Sequence, residues 1–170
     1  MFNNIYENKK VLVTGHTGFK GTWLTAWLLK LGANVVGISK DIPTTPSMFE
    51  ELNLNEKISH YLEDIRDLSK ITQIISDERP EFLFHLAAQP IVSTSYSDPI
   101  ETISSNVMGT ANILEALKVS NHKCTAIIIT SDKAYDNVEQ VWGYKEEDKM
   151  GGKDIYSGSK GAAELIIKSY

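Results

Sequence analysis

The sequence has 170 residues, of which 42% are hydrophobic and 23% are charged, and this composition is typical of a globular domain that buries its own core. The net charge of -5 and the scattered placement of the lysines argue against a nucleic-acid partner. A single cysteine excludes an internal disulfide, and no stretch approaches the roughly 18 apolar residues of a membrane span. We therefore expect a cytoplasmic protein with no membrane segment.

Apolar segments of strand length alternate along the chain with segments of helical periodicity. The strands are predicted at residues 10–14, 34–38, 59–62, 82–86 and 125–130. Long helices are predicted over residues 99–120 and from about Tyr156 onward. Continuously apolar strands that alternate with helices are typical of a parallel sheet covered on both faces. We therefore predict an α/β fold, a doubly wound parallel sheet of the Rossmann type.

Three further structural expectations follow from the apolar and sulfur-containing residues and the histidines. The helix over residues 99–120 has a predicted buried side that carries Ile103, Val107, Ile113, Leu114 and Leu117. Cys124, next to the apolar residues 126–129, is predicted to be a buried and inert thiol. None of the four histidines has a His or Cys partner at metal-ligand spacing, so no metal site is predicted.

A glycine motif at the junction of the first strand and the first helix is the strongest local signal. Gly15, Gly18 and Gly21 form the pattern G-x-x-G-x-x-G directly after the apolar residues 11–13. Glycines permit a tight turn and let the backbone approach a pyrophosphate, which binds at the positively polarised start of a helix. At this place in a strand–helix chain, the motif favours a dinucleotide cofactor over a plain turn.

The end of the second strand does not match the NAD fingerprint. An acidic residue that binds the adenosine ribose is expected about 20 positions after the glycines. The sequence instead has Ser39, followed by Lys40 and Asp41. Because a cation here can also accept the 2′-phosphate of NADP, NAD is preferred and NADP is not excluded.

Two polar motifs near the end of the chain carry candidate chemistry. Tyr156 and Lys160 form a Y-x-x-x-K pair whose side chains would share one helical face, where the ammonium would stabilise a phenolate and favour its use as a general base. Ser131, Asp132 and Lys133 follow the fifth strand, and open α/β sheets bind ligands at the carboxyl ends of their strands. Taken alone, each motif is equally consistent with an amphipathic helix or a polar turn.

Together these motifs resemble those of the extended short-chain dehydrogenases over essentially the whole chain. Three further segments carry the resemblance: Asp64-Ile65-Arg66-Asp67, His85-Leu86-Ala87-Ala88-Gln89 and Asn106-Val107-Met108-Gly109-Thr110. Within that group, Lys133 after Ser131 and Asp132, together with the glycine loop, looks like the CDP-glucose 4,6-dehydratases. The resemblance implies that residues 1–170 are the NAD-binding Rossmann domain of a longer enzyme whose substrate-binding domain is largely absent here.

The resemblance implies a dehydration of a nucleotide-sugar in which NAD is a bound catalyst. Tyr156 would take the proton of the sugar O4 while C4 gives hydride to the nicotinamide. Lys160 would hold the nicotinamide ribose, and Ser131 would hydrogen-bond O4. Lys133, if neutral, would remove the C5 proton, and Asp132, if protonated, would donate to the departing 6-hydroxyl. The product would be a 4-keto-6-deoxy nucleotide-sugar.

The resemblance also implies particular cofactor and substrate contacts. The cofactor contacts are Gly15, Gly18, Phe19, Gly21, Asp64, Ile65, Leu86, Ala87, Ala88, Ser105, Tyr156 and Lys160. The substrate contacts are Gln89, Ser95 and Ser131. Asn106 is expected to support a helix bend or a water near the lysine, and a homodimer is expected to form through residues 99–120 and 156–170.

Two alternatives to the CDP-glucose dehydratase remain open. One is another enzyme of the same superfamily, such as a sugar-nucleotide epimerase or a GDP-mannose dehydratase, from which Lys133 separates this chain. The other is a noncatalytic NAD-binding module, because most of the family's substrate-binding domain is missing from these 170 residues.

Overall fold

The computed structural model describes residues 2–170, and its strands form one parallel sheet. The strands are β1 (Lys10–Thr14), β2 (Asn34–Ser39), β3 (Ser59–Leu62), β4 (Phe82–His85) and β5 (Thr125–Ile128). They lie in the order β3-β2-β1-β4-β5, and each neighbouring pair is parallel. The predicted doubly wound α/β fold is confirmed.

Helices connect the strands and cover both faces of the sheet. The α-helices are α1 (Phe19–Lys30), α2 (Met48–Glu51), α3 (Leu68–Glu78), α4 (Val92–Ser97), α5 (Pro99–Ile103), α6 (Gly109–Ser120) and α7 (Ile155–Ser169). A π-helical turn, Ser104–Met108, joins α5 to α6. Short 3-10 turns occur at Phe2–Asn4, Leu54–Glu56 and Asp132–Ala134.

Side chains of β1 alternate between two apolar cores, one on each face of the sheet. Leu12 packs with Ile71 of α3 and Ile113 of α6 on one face. Val11 and Val13 pack with Leu28 of α1 on the other. Successive strand residues point to opposite faces, so an unbroken apolar run is required when both faces are covered. This explains why β1 reads as a continuous hydrophobic segment.

Because of the π turn, the buried side of the long helix differs from the predicted one. Ile113 is fully buried as predicted, but Ile103 is 39% exposed. Ten α-helical residues would place these side chains roughly 80° apart around the axis. A π turn accommodates one residue more than an α turn, which moves them to roughly opposite sides. Thr102, Ser105 and Asn106 are buried in this region instead.

Strand β5 lies at one edge of the sheet and is shorter than predicted. It ends at Ile128, and β4 ends at His85, one residue before the predicted end. Cys124, just before β5, is half-buried, and burial raises the pKa of its thiol to about 11, which agrees with the predicted inert thiol. None of the helices described between residues 2 and 170 has the length and apolar character needed to cross a membrane.

Candidate active site

A cavity of about 550 Å³ opens at the carboxyl ends of the strands, beside the point where the chain crosses from β3 back to β4. This volume suits a small-molecule site, and ligands of open α/β sheets bind at such switch points. All the residues expected to contact the cofactor line this cavity, namely Gly15, Gly18, Phe19, Gly21, Asp64, Ile65, Leu86, Ala87, Ala88, Ser105, Tyr156 and Lys160. The fold therefore brings together side chains that lie up to 145 positions apart in the sequence.

The glycine turn leaves room only for backbone atoms. Gly15 has a φ of +74°, and a Cβ there would lie 2.8 Å from the backbone nitrogen of Ala87. A Cβ at Gly21 would lie 2.0 Å from the carbonyl oxygen of Gly15. Helix α1 begins after Gly18 without a side-chain cap, so its first N–H groups can donate to a ligand. This geometry fits the pyrophosphate of a dinucleotide.

His16, inside the glycine loop, is a buried structural residue that the sequence analysis did not identify. Its Nε2 lies 2.7 Å from Nδ1 of His60, and its Nδ1 lies 3.0 Å from Oγ of Ser39. Burial, opposed by a backbone hydrogen bond and assisted by His60, lowers the pKa of His16 to about 4. A Cβ at Gly37 would lie 2.5 Å from the ring, and this glycine inside an apolar strand was the available signal.

Next to the cavity, the residues that follow β2 contact an acidic residue of α5, Glu101. Ser39 directs its hydroxyl to His16 and to the backbone N–H of Thr17, so it is not the missing ribose acceptor. Lys40 Nζ donates instead to Glu101 of α5 at 3.0 Å. Glu101 also accepts from Arg66 and from Ser105 Oγ. No sequence spacing links Glu101 to the end of β2.

A buried polar chain connects β1 with the middle of the long helix. The Thr14 hydroxyl lies 2.7 Å from Nδ1 of His85, and Thr110 Oγ1 lies 3.2 Å from Nε2 of the same ring. Because the Thr110 hydroxyl donates to the Asn106 carbonyl at 2.8 Å, we assign the imidazole proton to Nε2. Burial, together with the charge of Lys160, lowers the pKa of His85 to about 3, so the ring is neutral.

Asn106 continues this polar chain to α7, as its expected supporting role requires. Its Oδ1 accepts from the backbone N–H of Gln89 at 2.8 Å, and its Nδ2 donates to Ser159 Oγ at 2.9 Å. Ser159 in turn donates to the carbonyl of Tyr156 at 2.7 Å. The π turn that carries Asn106 is thus tied to the helix that carries the Y-x-x-x-K pair.

Tyr156 and Lys160 lie together on the inner face of α7. The Lys160 ammonium is 5.8 Å from the centroid of the Tyr156 ring, and the two residues are 6% and 8% exposed, respectively. Burial lowers the pKa of Lys160, although the charge of Glu164 opposes this effect. Asp154 caps the helix by accepting from the backbone N–H of Ser157 at 2.9 Å. The cap fixes the start of α7 directly before Tyr156.

The turn that carries Ser131, Asp132 and Lys133 lies beside the cavity rather than in its wall. Ile129 and Thr130 line the cavity, whereas Asp132 and Lys133 are exposed. The Ser131 hydroxyl donates to Asp132 at 3.0 Å and accepts from the backbone N–H of Lys133 at 3.2 Å. Within residues 2–170, Asp132 and Lys133 form no ion pair with each other.

The two remaining candidate substrate residues have their side chains engaged within the protein. Gln89 lines the cavity, but its amide donates to Thr102 Oγ1 at 2.8 Å and to the carbonyl of Ile91 at 3.0 Å. Ser95 is fully buried and donates to the carbonyl of Val92 at 2.7 Å. Neither side chain is free for a substrate in this conformation. Among the described residues, no cluster of three or more His, Cys, Asp or Glu side chains could hold a metal ion.

Comparison with known proteins identifies relatives over almost the whole chain. A CDP-glucose 4,6-dehydratase from Salmonella typhimurium is 51% identical over 167 residues, which are 98% of this chain and 46% of that protein. A solved structure of UDP-glucose 4-epimerase in complex with NAD, from Thermus thermophilus, matches with a TM-score of 0.81 and 27% identity over 95% of this chain and 50% of that one.

The structure of an epimerase from Methanothermobacter thermautotrophicus matches with a TM-score of 0.84 and 26% identity, over 98% of this chain and 48% of that one. The chain therefore spans about half the length of the relatives it matches. The family model for GDP-mannose 4,6 dehydratase matches residues 12–170. With this match and the cavity geometry, the chain belongs to the GDP-mannose 4,6 dehydratase family.

Proposed function

We propose that this chain is the NAD-binding domain of a nucleotide-sugar 4,6-dehydratase and that the substrate is CDP-glucose. The observation that carries the proposal is the single cavity that joins the glycine turn to Tyr156 and Lys160, with the Ser131–Lys133 turn beside it. The 51% identity to the Salmonella typhimurium CDP-glucose 4,6-dehydratase supports this substrate over other nucleotide-sugars.

The cavity residues fit NAD at three places. The glycine turn and the start of α1 would hold the pyrophosphate, because close backbone approach and free N–H groups suit an anion. Asp64 and Ile65 would contact the adenine side, and Ser105, Tyr156 and Lys160 the nicotinamide side. When bound, NAD supplies the site that accepts hydride from the sugar C4 and returns it to C6.

The protein side chains would move the protons of this reaction. Tyr156 would take the proton from the sugar O4, assisted by the buried ammonium of Lys160. Ser131 would hydrogen-bond O4. Lys133 would remove the C5 proton, which the 4-ketone acidifies, and Asp132 would protonate the 6-hydroxyl, which leaves as water. Lys133 would return its proton to C5 when hydride adds to C6. A protonated Asp132 as the acid and a neutral Lys133 as the base both require surroundings less exposed than those of this structure.

The test uses the full natural protein that contains this chain. Purified protein with bound NAD is incubated with CDP-glucose, and the ultraviolet absorbance of a 4-keto sugar in base is measured. Lys133→Met should abolish this band without weakening NAD binding, while Lys153→Met, an exposed lysine of the same segment, serves as the matched control. The absence of a band with wild-type protein and bound NAD would contradict the dehydratase proposal.

A second candidate function for these 170 residues is NAD binding without catalysis. The exposed side chains of Asp132 and Lys133 favour it, because the proposed proton transfers need both groups enclosed around a substrate. Calorimetry on the 170-residue chain distinguishes the two functions. Binding of NAD without binding of CDP-glucose would support the module, whereas turnover by this chain would exclude it.

A cytoplasmic homodimer is the assembly that we propose for the protein. Apolar side chains at Ile100, Met108 and Leu165 are 73%, 54% and 58% exposed on α5, the π turn and α7, and they offer an apolar surface for self-association. Sedimentation equilibrium of the wild-type protein and of Leu165→Glu tests this point. A monomeric wild-type protein at micromolar concentration would contradict the dimer.

A further inference from the structure

Ion pairs join four charged side chains at the edge of the cavity, Lys40, Asp64, Arg66 and Glu101, of which Lys40 and Asp64 line it. Lys40 directly follows β2 and lines the cavity at the place where dinucleotide-binding proteins distinguish NAD from NADP. Its ammonium donates to Glu101 Oε1 at 3.0 Å. The other oxygen of Glu101 binds Arg66, which also pairs with Asp64. Glu101 thereby links the end of β2, the loop after β3 and helix α5.

The Lys40 ammonium depends on Glu101 for its position. Within residues 2–170, Glu101 is the single side chain that bonds Lys40 Nζ, whereas Arg66 has a second partner in Asp64. Loss of the Glu101 charge would therefore free Lys40 more than Arg66. Glu101 also accepts a hydrogen bond from Ser105 Oγ, one turn further along the same continuous helix, at 3.2 Å.

The charges of the ion-paired cluster balance. The carboxylates are Asp64 and Glu101, and the cations are Lys40 and Arg66. Partial burial disfavours ionisation of Glu101, but its bonds with Lys40 and the charge of Arg66 outweigh burial and lower its pKa. Glu101 is therefore ionised at neutral pH. A 2′-phosphate at this place would meet carboxylates whose counter-charges are already engaged.

We propose that Glu101 determines the cofactor specificity as a positioning residue, because it holds Lys40 away from a 2′-phosphate and so makes the cavity select NAD against NADP. The inference rests on the proposed use of this cavity for a dinucleotide. In the usual fingerprint, an acidic residue at the end of β2 discriminates NAD from NADP. In this protein, Glu101 of α5 would have that role. Ser39 cannot perform it, since its hydroxyl is engaged by His16 and Thr17.

The test compares the dissociation constants of NAD and NADP for wild-type protein and for Glu101→Gln, measured by calorimetry at low ionic strength. Glu101→Gln keeps the size of the side chain but removes its charge. We expect the ratio of the NADP constant to the NAD constant to fall by roughly tenfold, because the freed Lys40 can then pair with the 2′-phosphate. An unchanged ratio would overturn the proposal.

Two further variants separate this electrostatic role from a structural one. Glu101→Asp keeps the charge and should keep the wild-type ratio. The double variant Glu101→Gln/Lys40→Met should lose the gain in NADP binding, because the cation that causes it is gone. A gain that persists in the double variant would also overturn the role of Lys40. If Glu101→Gln has a lower thermal midpoint, Glu101→Ala, whose side chain needs no hydrogen-bond partner, provides the same comparison.

The experiment also distinguishes failure of this inference from failure of the proposed function. Wild-type protein that binds neither NAD nor NADP would refute the dinucleotide site itself. If the wild-type protein binds NAD but its ratio of NADP to NAD dissociation constants equals that of Glu101→Gln, only the role of Glu101 is refuted.

Discussion

The glycine turn after β1 and the polar turn after β5 stand at the same edge of the sheet, but their surroundings differ. His16 in the first turn is fully buried, and backbone atoms fill the space around Gly15 and Gly21. Asp132 and Lys133 in the second turn are exposed, and their hydrogen bonds are local. The glycine turn, where we propose that the phosphates bind, is thus completed by tight packing within these residues, whereas the proposed proton-transfer turn is exposed.

The largest effect is expected from a side chain in the packed turn. Gly21→Val should destabilise the fold by more than about 4 kcal/mol and abolish NAD binding, because its Cβ would lie 2.0 Å from the Gly15 carbonyl oxygen. Gly158→Ala in α7 is the matched control, since its Cβ meets no atom within 4 Å. Urea unfolding measures both, and the control should be neutral or slightly stabilising. Equal destabilisation by the two variants would mean that the turn is not specially packed.

The next largest effect concerns Tyr156, a buried residue of α7 that lines the cavity. Tyr156→Phe in the full natural protein should lower turnover of CDP-glucose by about 10³-fold, or ~4 kcal/mol, because the general base for O4 is lost. NAD binding should persist, since the cavity wall is otherwise unchanged. Stopped-flow absorbance and calorimetry measure the two quantities. Turnover within a factor of two of wild type would remove Tyr156 from the proposed mechanism.

A smaller effect is expected on the pH dependence of the unfolding free energy, because the glycine turn contains a buried histidine and the polar turn after β5 does not. The pKa of His16 is lowered to about 4 by burial, so the unfolded chain binds more protons than the folded one between pH 6.5 and pH 4. The unfolding free energy should therefore be fully retained above pH 6.5 and fall as the pH decreases towards 4, by on the order of 3 kcal/mol from His16. His85, with a pKa of about 3, should add a loss of stability over the same pH range and extend that loss towards pH 3.

Urea unfolding from pH 7 to pH 4 measures this dependence. In His16→Gln the slope should be shallower, because the buried titrating group in the glycine turn is absent. An identical slope in the variant would place the pH dependence elsewhere in the molecule.

The smallest effect is expected from an ion pair in the loop before α7. Lys149 bonds Asp136 at 3.1 Å, but its side chain is 82% exposed. Lys149→Ala should change the unfolding free energy by less than about 0.5 kcal/mol, because water screens exposed pairs. A loss above 1 kcal/mol would show that this open segment is more tightly packed than its exposure indicates.

Local patterns in the sequence predicted most of the fold and the glycine turn that lines the cavity. Apolar runs located all five strands, and the glycine spacing located the turn, because both depend on residues close together in the chain. The His16–His60 and Lys40–Glu101 hydrogen bonds join residues 44 and 61 positions apart. Such contacts are set by tertiary packing and leave no spacing to recognise.

The exposure of Ile103 was mispredicted for a different reason. Its spacing from Ile113 fits an α-helical side, and only a change of helix type within residues 104–108 removes it from that side. The position of Ser131, Asp132 and Lys133 after the fifth strand predicted them as ligand-binding candidates, but their catalytic roles came only from the resemblance. The structure does not enclose Asp132 and Lys133 as the implied proton transfers require. The hypothesis for these two side chains stays a prediction.

The π turn also changes which side chains of the continuous helix face the sheet before and after residues 104–108. The apolar Ile113 of α6 faces the core, whereas Ile100 and Ile103 of α5 are exposed, because the π turn accommodates one extra residue between the two helices. Deleting one residue of 104–108 would leave Glu101 facing Lys40 and Ile113 facing the core, while taking Asn106 out of its inward position. A change in chain length here would therefore cut the link between β4 and α7 without turning either end of the helix.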